Sequence, residues 1–343
     1  MSTLFTFYQF DLKICIHRSL PTSLSILSST GYSLAWELMS PSIKAVIYLI
    51  MCHLLWSTNN IAGRSLGEHL SPVVITSMRW IIASTAYPAI MGRNAIYSLK
   101  SYIGLRSAVL GLLGFVIFNI VLYQALALAP SSLVGFAYGF TPIAIIIVST
   151  ILRTSYPRPI QILGSMLSSI GVSILFLYRG VSIRGSQELA GLALGLITGF
   201  IWAVYTVLQK KLYPEGDQIA LTYASLLMAV AILGPSSAPY IYLEFPRISR
   251  PEILAQLLWI AILPGALAYY MWNKAVSLVG SASAAPFSNF LPVFTAILGH
   301  VILGEELGIG DILGGGLIIA GSAISMMYRD SKYIRSDAKE EEV

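Results

Sequence analysis

Charged residues are scarce in this chain. Asp, Glu, Lys and Arg make up 11% of the 343 residues, whereas hydrophobic residues make up 56%. Soluble globular domains contain roughly 25% charged residues, which cover a surface that faces water. Apolar stretches also recur along most of the length, so the surface of this fold must face lipid. The composition excludes a soluble enzyme and predicts a membrane protein.

Cysteine is almost absent as well, because Cys15 and Cys52 are the only two. Two cysteines provide neither a disulfide framework nor a metal cluster. The sequence also lacks any His, Asp and Glu grouping with the spacing of a catalytic site, and any basic patch interleaved with aromatic residues of the kind that binds nucleic acid. We therefore expect no enzymatic activity, no metal or other cofactor, and no nucleic-acid partner.

Apolar stretches of about 20 residues dominate the rest of the chain, and this is the length at which a helix crosses the hydrocarbon layer. Charged residues, Pro and Gly separate the stretches. The sequence therefore predicts an all-α membrane protein with ten transmembrane helices. The predicted spans are 43–62, 71–91, 104–127, 131–152, 159–178, 190–209, 218–240, 253–275, 281–303 and 310–328.

The second half of the chain repeats the polar residues of the first. A shift of 146 places Trp56 on Trp202, and a shift of 150 places Pro142 on Pro292. Each half holds five spans, so the second copy must enter the membrane from the opposite side. We predict two inverted five-helix repeats, 43–179 and 180–328, around a central cavity on a pseudo-twofold axis in the membrane plane. Duplicated halves of this kind are typical of transporters.

The segments outside the repeats are expected to be cytoplasmic. They are an N-terminal extension, 1–42, and a charged tail, 329–343. Residues 1–38 lack the apolar core of a secretory signal, and one hypothesis starts the functional chain at Met39. Lys and Arg outside the spans lie mostly on the side of the two termini, as Lys44, Arg153 and Lys210 illustrate. This bias predicts a multi-pass protein of the cell membrane with both termini in the cytoplasm.

Polar, aromatic and small residues follow one another in a similar order in the two copies. They are Trp56, Asn59, Asn60, Ser71, Pro72, Arg79, Trp80, Tyr123, Ala125, Leu126 and Pro142 in the first copy, with Trp202, Trp272, Asn273, Lys274, Ala275, Pro292, Gly304, Glu305, Gly314 and Gly321 in the second. This order resembles the EamA repeat of the drug/metabolite transporter superfamily over roughly 43–328, and one departure is Thr154-Ser155 in the first copy where the second has Gly304-Glu305. The resemblance implies transport of a small metabolite, usually export, through a central cavity.

Polar and aromatic side chains inside the spans recur at helical spacing and mark the predicted substrate pathway. Polar groups are costly in hydrocarbon, so they tend to face a cavity or a partner helix. Trp56, Asn59 and Asn60 share one face of the first span, for example. The predicted pathway residues are Trp56, Asn59, Asn60, Arg79, Asn119, Tyr123, Trp202, Tyr205, Gln209, Tyr269 and Asn273.

Each of these residues has an alternative interpretation. The amides can join helices, and the aromatic rings can belong to interfacial belts. Arg79 can bind a carboxylate or phosphate by two hydrogen bonds, or it can pair with carbonyls and Asn side chains and fix helix packing. Pro142 and Pro292 are expected to free a backbone carbonyl and kink the fourth and ninth spans near their middles, either as hinges or as static kinks.

Acidic residues are missing from the middle of every predicted span. Proton-driven carriers of lipophilic cations typically need a buried carboxylate. The sequence therefore favours a small zwitterionic, neutral or anionic metabolite, such as an amino acid, exported by alternating access. The alternatives are a membrane-embedded enzyme or receptor without transport activity and, among transporters, a nucleotide-sugar or sugar-phosphate exchanger. The expected partners are a small-molecule substrate and the bilayer, whereas the substrate, direction, coupling ion and oligomeric state stay open.

Overall fold

A computed structural model of the protein describes residues 39–154, 156–180, 183–213, 216–303 and 307–327. Residues 1–44 form a unit of their own, of which the structure describes 39–44, the start of the first helix. The predicted tail, 329–343, and residues 1–38 of the predicted extension lie outside the described residues. Ser155 and Glu305, where the two copies depart from each other, lie outside them too.

Almost all described residues belong to ten helices, which we number α1 to α10. Their bounds are α1 Pro41–Gly67, α2 Pro72–Ser98, α3 Leu105–Leu128, α4 in two segments Ser131–Tyr138 and Thr141–Ile151, α5 Pro159–Tyr178, α6 Ser186–Leu212, α7 Gln218–Ile248, α8 Pro251–Val279, α9 in three segments Ser281–Ala284, Ala285–Asn289 and Phe290–Leu303, and α10 Ile309–Met326. Each helix overlaps one predicted span, although several helices extend beyond its predicted ends.

Nine of these helices, counted within the described part of the chain, are long and apolar enough to cross a membrane. The remaining one, α2, has 27 residues, which is also sufficient length, but it carries the charged Arg79. A helix of 27 residues is about 40 Å long, at 1.5 Å per residue. The fold is therefore all-α with nine or ten membrane-spanning helices.

Helix α7 continues beyond its predicted end at residue 240. The charged stretch from Glu244 to Pro251 was expected to break the chain, yet α7 runs to Ile248. Glu244 Oε2 accepts a hydrogen bond from Ser71 N at 2.9 Å, and Arg247 donates one to His69 O at 3.3 Å. These charged residues predicted a loop, but in the structure they bind the end of α7 to the turn between α1 and α2.

The breaks in α4 and α9 lie directly before the two prolines, close to the middle of each predicted span. Pro142 is in the first turn of the segment Thr141–Ile151, and Pro292 is in the first turn of the segment Phe290–Leu303. The first turn of a helix tolerates proline because its N–H groups have no partner within the helix. Neither proline therefore frees a carbonyl in the middle of a continuous helix. Each follows a point at which the helix is interrupted.

Two pairs of corresponding helices show how closely the halves match. Helix α3 contains one π-helical stretch at Leu112–Ile117, and α8 contains one at Ile262–Leu267, which is the same position after a shift of 150. Such stretches are rare and frequently occur at functional sites. Helices α5 and α10 pack against each other without side chains between them at two points.

These two close approaches of α5 and α10 involve glycines. Gly164 lies against the carbonyl of Gly321, and Gly171 lies against that of Gly314. A later position in α5 thus meets an earlier position in α10, so the two helices run antiparallel. Small residues permit this approach of two backbones, and packing of this kind stabilises helix pairs in lipid.

Candidate functional site

A cavity lies where helices of both halves meet. The empty space between its walls is about 470 Å³ including the part open to solvent, and the centre of a water-sized molecule can occupy about 40 Å³ of it. Both halves contribute to its wall, although the first half contributes most of it. The lining residues are Trp56, Asn59, Asn60, Arg79, Phe118, Leu122, Val134, Gly135, Tyr138, Trp202, Tyr269 and Leu291.

Arg79 is the charged residue of this lining, and it is 1% exposed. Its Nη1 donates to Asn119 Oδ1 at 2.8 Å and to Tyr123 Oη at 3.0 Å, and its Nη2 donates to Pro264 O at 3.1 Å. All three acceptors are neutral. The Nε–H has no acceptor among the described residues. The guanidinium thus joins α2, α3 and α8 and lies over the ring of Trp80, with Cζ 4.6 Å from the centroid, but none of these contacts is with an anion.

Asn119 is the second residue of the segment of α3 that follows the π-helical stretch, Tyr123 lies about one turn later, and both accept hydrogen bonds from Arg79. Tyr123 Oη donates to Asn59 Oδ1 at 3.1 Å, and Asn119 Nδ2 donates to the Oη of Tyr269 at 3.3 Å. Neither Asn119 nor Tyr123 lines the cavity. We call Asn59, Arg79, Asn119 and Tyr123 the Arg79 cluster.

Aromatic rings form the floor of the cavity. Trp56 and Trp202, which correspond under the repeat, meet edge to face with their centroids 5.2 Å apart, and the ring of Tyr269 is 5.4 Å from Trp202. Trp56 Nε1 donates to Pro264 O at 2.9 Å. Trp202 Nε1 is buried and has no acceptor among the described residues. The carbonyl of Pro264 is available to Trp56 and Arg79 because it belongs to the π-helical stretch of α8, where the regular hydrogen-bond pattern is interrupted.

A second polar group lies away from the cavity and is packed shut; it contains Tyr205 and Asn273, which correspond to Asn59 and Tyr123. Asn273 Nδ2 donates to Tyr205 Oη at 3.1 Å and to Thr222 Oγ1 at 2.8 Å, while Gln209 Nε2 donates to Gln218 Oε1 at 2.9 Å. We call Tyr205, Gln209, Thr222 and Asn273 the Tyr205 cluster. It shares no residue with the cavity lining.

The ring of Tyr205 packs against the backbone of α3 and covers the Tyr205 cluster on that side. It lies so near Gly114, in the π-helical stretch of α3, that a Cβ at Gly114 would overlap it. Glycine is therefore required at this position for the ring to pack as it does. Tyr205 corresponds to Asn59 under the shift of 146, and the shorter Asn59 side chain leaves space where the tyrosine fills it.

The predicted pathway residues thus separate into three groups. Six of them line the cavity, namely Trp56, Asn59, Asn60, Arg79, Trp202 and Tyr269. Asn119 and Tyr123 support Arg79 from outside the lining, and Tyr205, Gln209 and Asn273 belong to the closed Tyr205 cluster. The polar faces of α1 and α6 meet where the ring of Trp56 contacts that of Trp202.

The apolar half of the lining was missed by sequence reasoning. It consists of Phe118, Leu122, Val134, Gly135, Tyr138 and Leu291. A signal existed for two of them, because Phe118 and Leu122 immediately precede Asn119 and Tyr123 and share their spacing of four. Nothing in an apolar stretch such as 133–138 separates a cavity wall from a lipid-facing surface. Among the described residues, no group of three or more His, Cys, Asp and Glu side chains could hold a metal ion.

Known proteins match the chain along most of its length. The model of the EamA-like transporter family matches twice, over residues 43–177 and 189–327. An uncharacterized transporter of Archaeoglobus fulgidus is 26% identical over 279 residues, which cover 81% of this chain and 96% of the relative. The S-adenosylmethionine/S-adenosylhomocysteine transporter of Chlamydia muridarum is 20% identical over 290 residues, which cover 81% of this chain and 90% of the relative.

A solved crystal structure shares the fold. It matches with a TM-score of 0.63 at 19% sequence identity, and the match covers 82% of this chain and 96% of the other. The two family matches cover well over half of the sequence, and each falls on five of the ten helices described above. This chain is a multi-pass membrane protein that belongs to the EamA-like transporter family of the drug/metabolite transporter superfamily.

Proposed function

We propose that this protein exports a small amino-acid-like metabolite from the cytoplasm by alternating access. The observation that carries the proposal is the contrast between two corresponding places. The cavity reaches Asn59 and Arg79 of the Arg79 cluster, while the Tyr205 cluster is covered by the ring of Tyr205 packed against Gly114. A carrier needs a site that is accessible from one side and closed from the other, and the two closures then exchange.

The inverted arrangement of the repeats supports this mechanism. Helices α5 and α10 correspond under the shift of 150 and run antiparallel where Gly164 meets Gly321 and Gly171 meets Gly314. A pseudo-twofold axis in the membrane plane would relate them in this way. The proposed repeats are 43–179 and 180–328. Rocking of one repeat against the other would open the Tyr205 cluster and close the space beside Asn59.

The proposed orientation places both termini in the cytoplasm of the cell. The bias of Lys and Arg towards that side supports it. Asn59 and Asn60 lie in the second half of α1, and Val134 lies near the start of α4. With the N-terminus inside, these positions are nearer the outer surface. The cavity would then be the outward-facing form of the site, from which an exported molecule leaves.

The composition of the lining supports the substrate class. Amides of Asn59 and Asn60, the rings of Trp56 and Trp202, and one guanidinium suit a molecule with polar and apolar ends. The Chlamydia muridarum relative is named for S-adenosylmethionine and S-adenosylhomocysteine, which are amino acids with a planar base. Its name therefore fits the same broad class of substrate.

Transport by purified protein in sealed vesicles tests the proposal. Radiolabelled amino acids, nucleobases and sugar phosphates are loaded on one side, and their exchange across the membrane is followed with and without the protein. We expect protein-dependent flux of at least one amino-acid-like compound. Trp56→Ala should abolish it, because the ring forms part of the cavity floor and its Nε1 bonds Pro264 O.

A matched control is Trp259→Ala on α8, whose ring is about half exposed and which lies outside the lining. This variant should transport normally if vesicles contain equal amounts of folded protein. Flux of sugar phosphates alone would replace the proposed substrate class with that of an exchanger. Absence of flux for every compound, with folded protein on the membrane, would contradict the function.

A further inference from the structure

Arg79 presents an unusual charge balance for a residue at this depth. It is 1% exposed, and its three hydrogen bonds go to an amide oxygen, a phenol oxygen and a backbone carbonyl. A guanidinium has five N–H donors, so two remain: the Nε–H and one N–H of Nη2. Neither has an acceptor among the described residues. Buried charges are normally paired, because removal of an ion from water costs several kcal/mol.

A second donor in the same cavity also lacks a partner. Trp202 Nε1–H is buried, belongs to the lining, and has no acceptor among the described residues. The corresponding nitrogen of Trp56, by contrast, is satisfied by Pro264 O at 2.9 Å. The cavity therefore combines a positive charge with spare hydrogen-bond donors. This combination would bind a negatively charged hydrogen-bond acceptor.

The charge belongs to one repeat alone. The shift of 146 that pairs Trp56 with Trp202 also pairs Thr76 with Thr222 and Arg79 with Ser225. The other three members of the Arg79 cluster correspond to polar residues as well, because Asn59, Asn119 and Tyr123 correspond to Tyr205, Tyr269 and Asn273. If Arg79 served merely to join α2, α3 and α8, the equivalent junction of α7, α8 and α3 would face the same requirement. At that junction the residue is the neutral Ser225, whose hydroxyl has no hydrogen-bond partner among the described residues, so packing alone does not call for a cation.

We propose that Arg79 is the specificity-determining residue of the cavity and pairs with a carboxylate of the substrate. This inference rests on the proposed transport function and narrows its substrate class to molecules with a carboxylate on a compact apolar or planar body. The apolar wall formed by Leu122, Val134 and Leu291 receives that body. One guanidinium with two free donors matches the single charge and two oxygens of a carboxylate. A phosphate dianion would leave one charge unpaired.

Matched acid and amide ligands test this directly. The probes are hydrocinnamate and hydrocinnamamide, with acetate and acetamide as the smallest pair, because each pair differs in charge but hardly in shape. Binding to the full chain in lipid nanodiscs is followed by tryptophan fluorescence, since Trp56 and Trp202 line the cavity, in gluconate buffer without chloride. We expect the wild type to prefer the larger acid over its amide by about tenfold or more, the range of a charge-assisted hydrogen bond.

The variant Arg79→Gln should reduce this preference to about one while the affinity for the amide changes by less than about threefold, and Arg79→Lys should keep part of the preference because it keeps the charge. The control is Arg64→Gln. Arg64 also donates to backbone carbonyls, those of Leu126 and Ala129, each at 2.9 Å, but lies outside the cavity. The control should preserve the acid preference.

Three results would overturn the inference. One is equal affinity of the wild type for acids and amides, which needs no variant and so does not depend on the folding of Arg79→Gln. Another is a variant that loses thermal stability but keeps the acid preference, which assigns Arg79 to helix packing. The third is tighter binding of phenyl phosphate than of hydrocinnamate. Acid preference without vesicle flux would support this inference and contradict the proposed function. Flux of carboxylate-free molecules alone would contradict this inference and the amino-acid-like substrate class but would still show transport.

Discussion

The Arg79 cluster and the Tyr205 cluster each contain one of two corresponding Asn and Tyr pairs, Asn59 with Tyr123 and Asn273 with Tyr205, yet one cluster borders a cavity and the other is closed. The scaffold around them is the same, since a π-helical stretch of α3 or α8 lies beside each. The side chains differ at four positions. Asn59, Arg79, Asn119 and Tyr123 correspond to Tyr205, Ser225, Tyr269 and Asn273.

Three of these four differences exchange Asn for Tyr. An Asn and Tyr pair is kept in each cluster, Tyr123 with Asn59 and Asn273 with Tyr205, but the longer residue is on α3 in the first and on α6 in the second. The tyrosine on α6 covers Gly114, whereas the asparagine on α1 leaves the corresponding space open. Duplicated helices can thus keep the hydrogen bond and still give the two sides different shapes.

The largest expected effect is a difference in chemical access to the two sides. In a background with Cys15→Ser and Cys52→Ser, we compare Asn60→Cys, beside the cavity, with Gln209→Cys in the closed cluster. A membrane-impermeant thiol reagent should modify Asn60→Cys about 100-fold faster than Gln209→Cys. Gln209→Cys is exposed only when the closed side opens, and such a minor state is populated at about 0.1–10%. Quenched labelling of intact cells and of inverted vesicles measures both rates.

The same experiment tests the orientation. Asn60→Cys should react in intact cells, and Gln209→Cys should react, slowly, in inverted vesicles. Reaction of Asn60→Cys only in inverted vesicles would place the termini outside. Equal rates at the two positions would contradict the contrast between the clusters.

The next largest effect is expected at the contact that seals the Tyr205 cluster. A Cβ in Gly114→Ala would overlap the Tyr205 ring, and overpacking of this kind costs about 1–3 kcal/mol. We expect the closed side to open more often, so that Gln209→Cys is modified faster. Vesicle flux should fall by about tenfold, because a free-energy cost of about 1.4 kcal/mol changes an equilibrium constant tenfold. Thiol labelling and flux are measured on the same preparation.

Gly234→Ala on α7 is the matched control, because a Cβ there meets no atom within 4 Å. It should leave both readouts unchanged at equal expression. If Gly114→Ala transports normally and Gln209→Cys stays protected, the ring of Tyr205 does not form the closure.

Much of the helical framework could be predicted from the sequence. Hydropathy gives the spans because lipid tolerates only backbone that is hydrogen-bonded internally, so an apolar stretch of sufficient length must be helical. The ends were reliable where Pro or Gly limits a helix, as at Pro159, and unreliable at α7. There the outcome depends on Glu244 reaching Ser71, a partner far away in the chain.

The candidate site was predictable in part. Helical spacing identified the face of α1 that carries Trp56 and Asn59, and this face does line the cavity. Spacing gives the face of a helix but not the state of the carrier, so it could not separate Asn59 from Tyr205. The π-helical stretch that supplies Pro264 O also has no sequence signal in a single chain, although its carbonyl fixes both Trp56 and Arg79.

The smallest effect is expected from the Tyr205 hydroxyl, which accepts a hydrogen bond from Asn273 within the Tyr205 cluster. Tyr205→Phe removes the hydrogen bond from Asn273 Nδ2 but keeps the ring over Gly114, and Asn273 retains Thr222 at 2.8 Å. A net contribution of about 1 kcal/mol would raise the open population, and so the labelling rate of Gln209→Cys, by about fivefold. Tyr123→Phe is the counterpart in the other cluster, where the hydroxyl accepts from Arg79 and donates to Asn59. It should weaken acid binding without exposing Gln209→Cys. Equal exposure in both variants would mean that the two clusters act as one network rather than as separate closures.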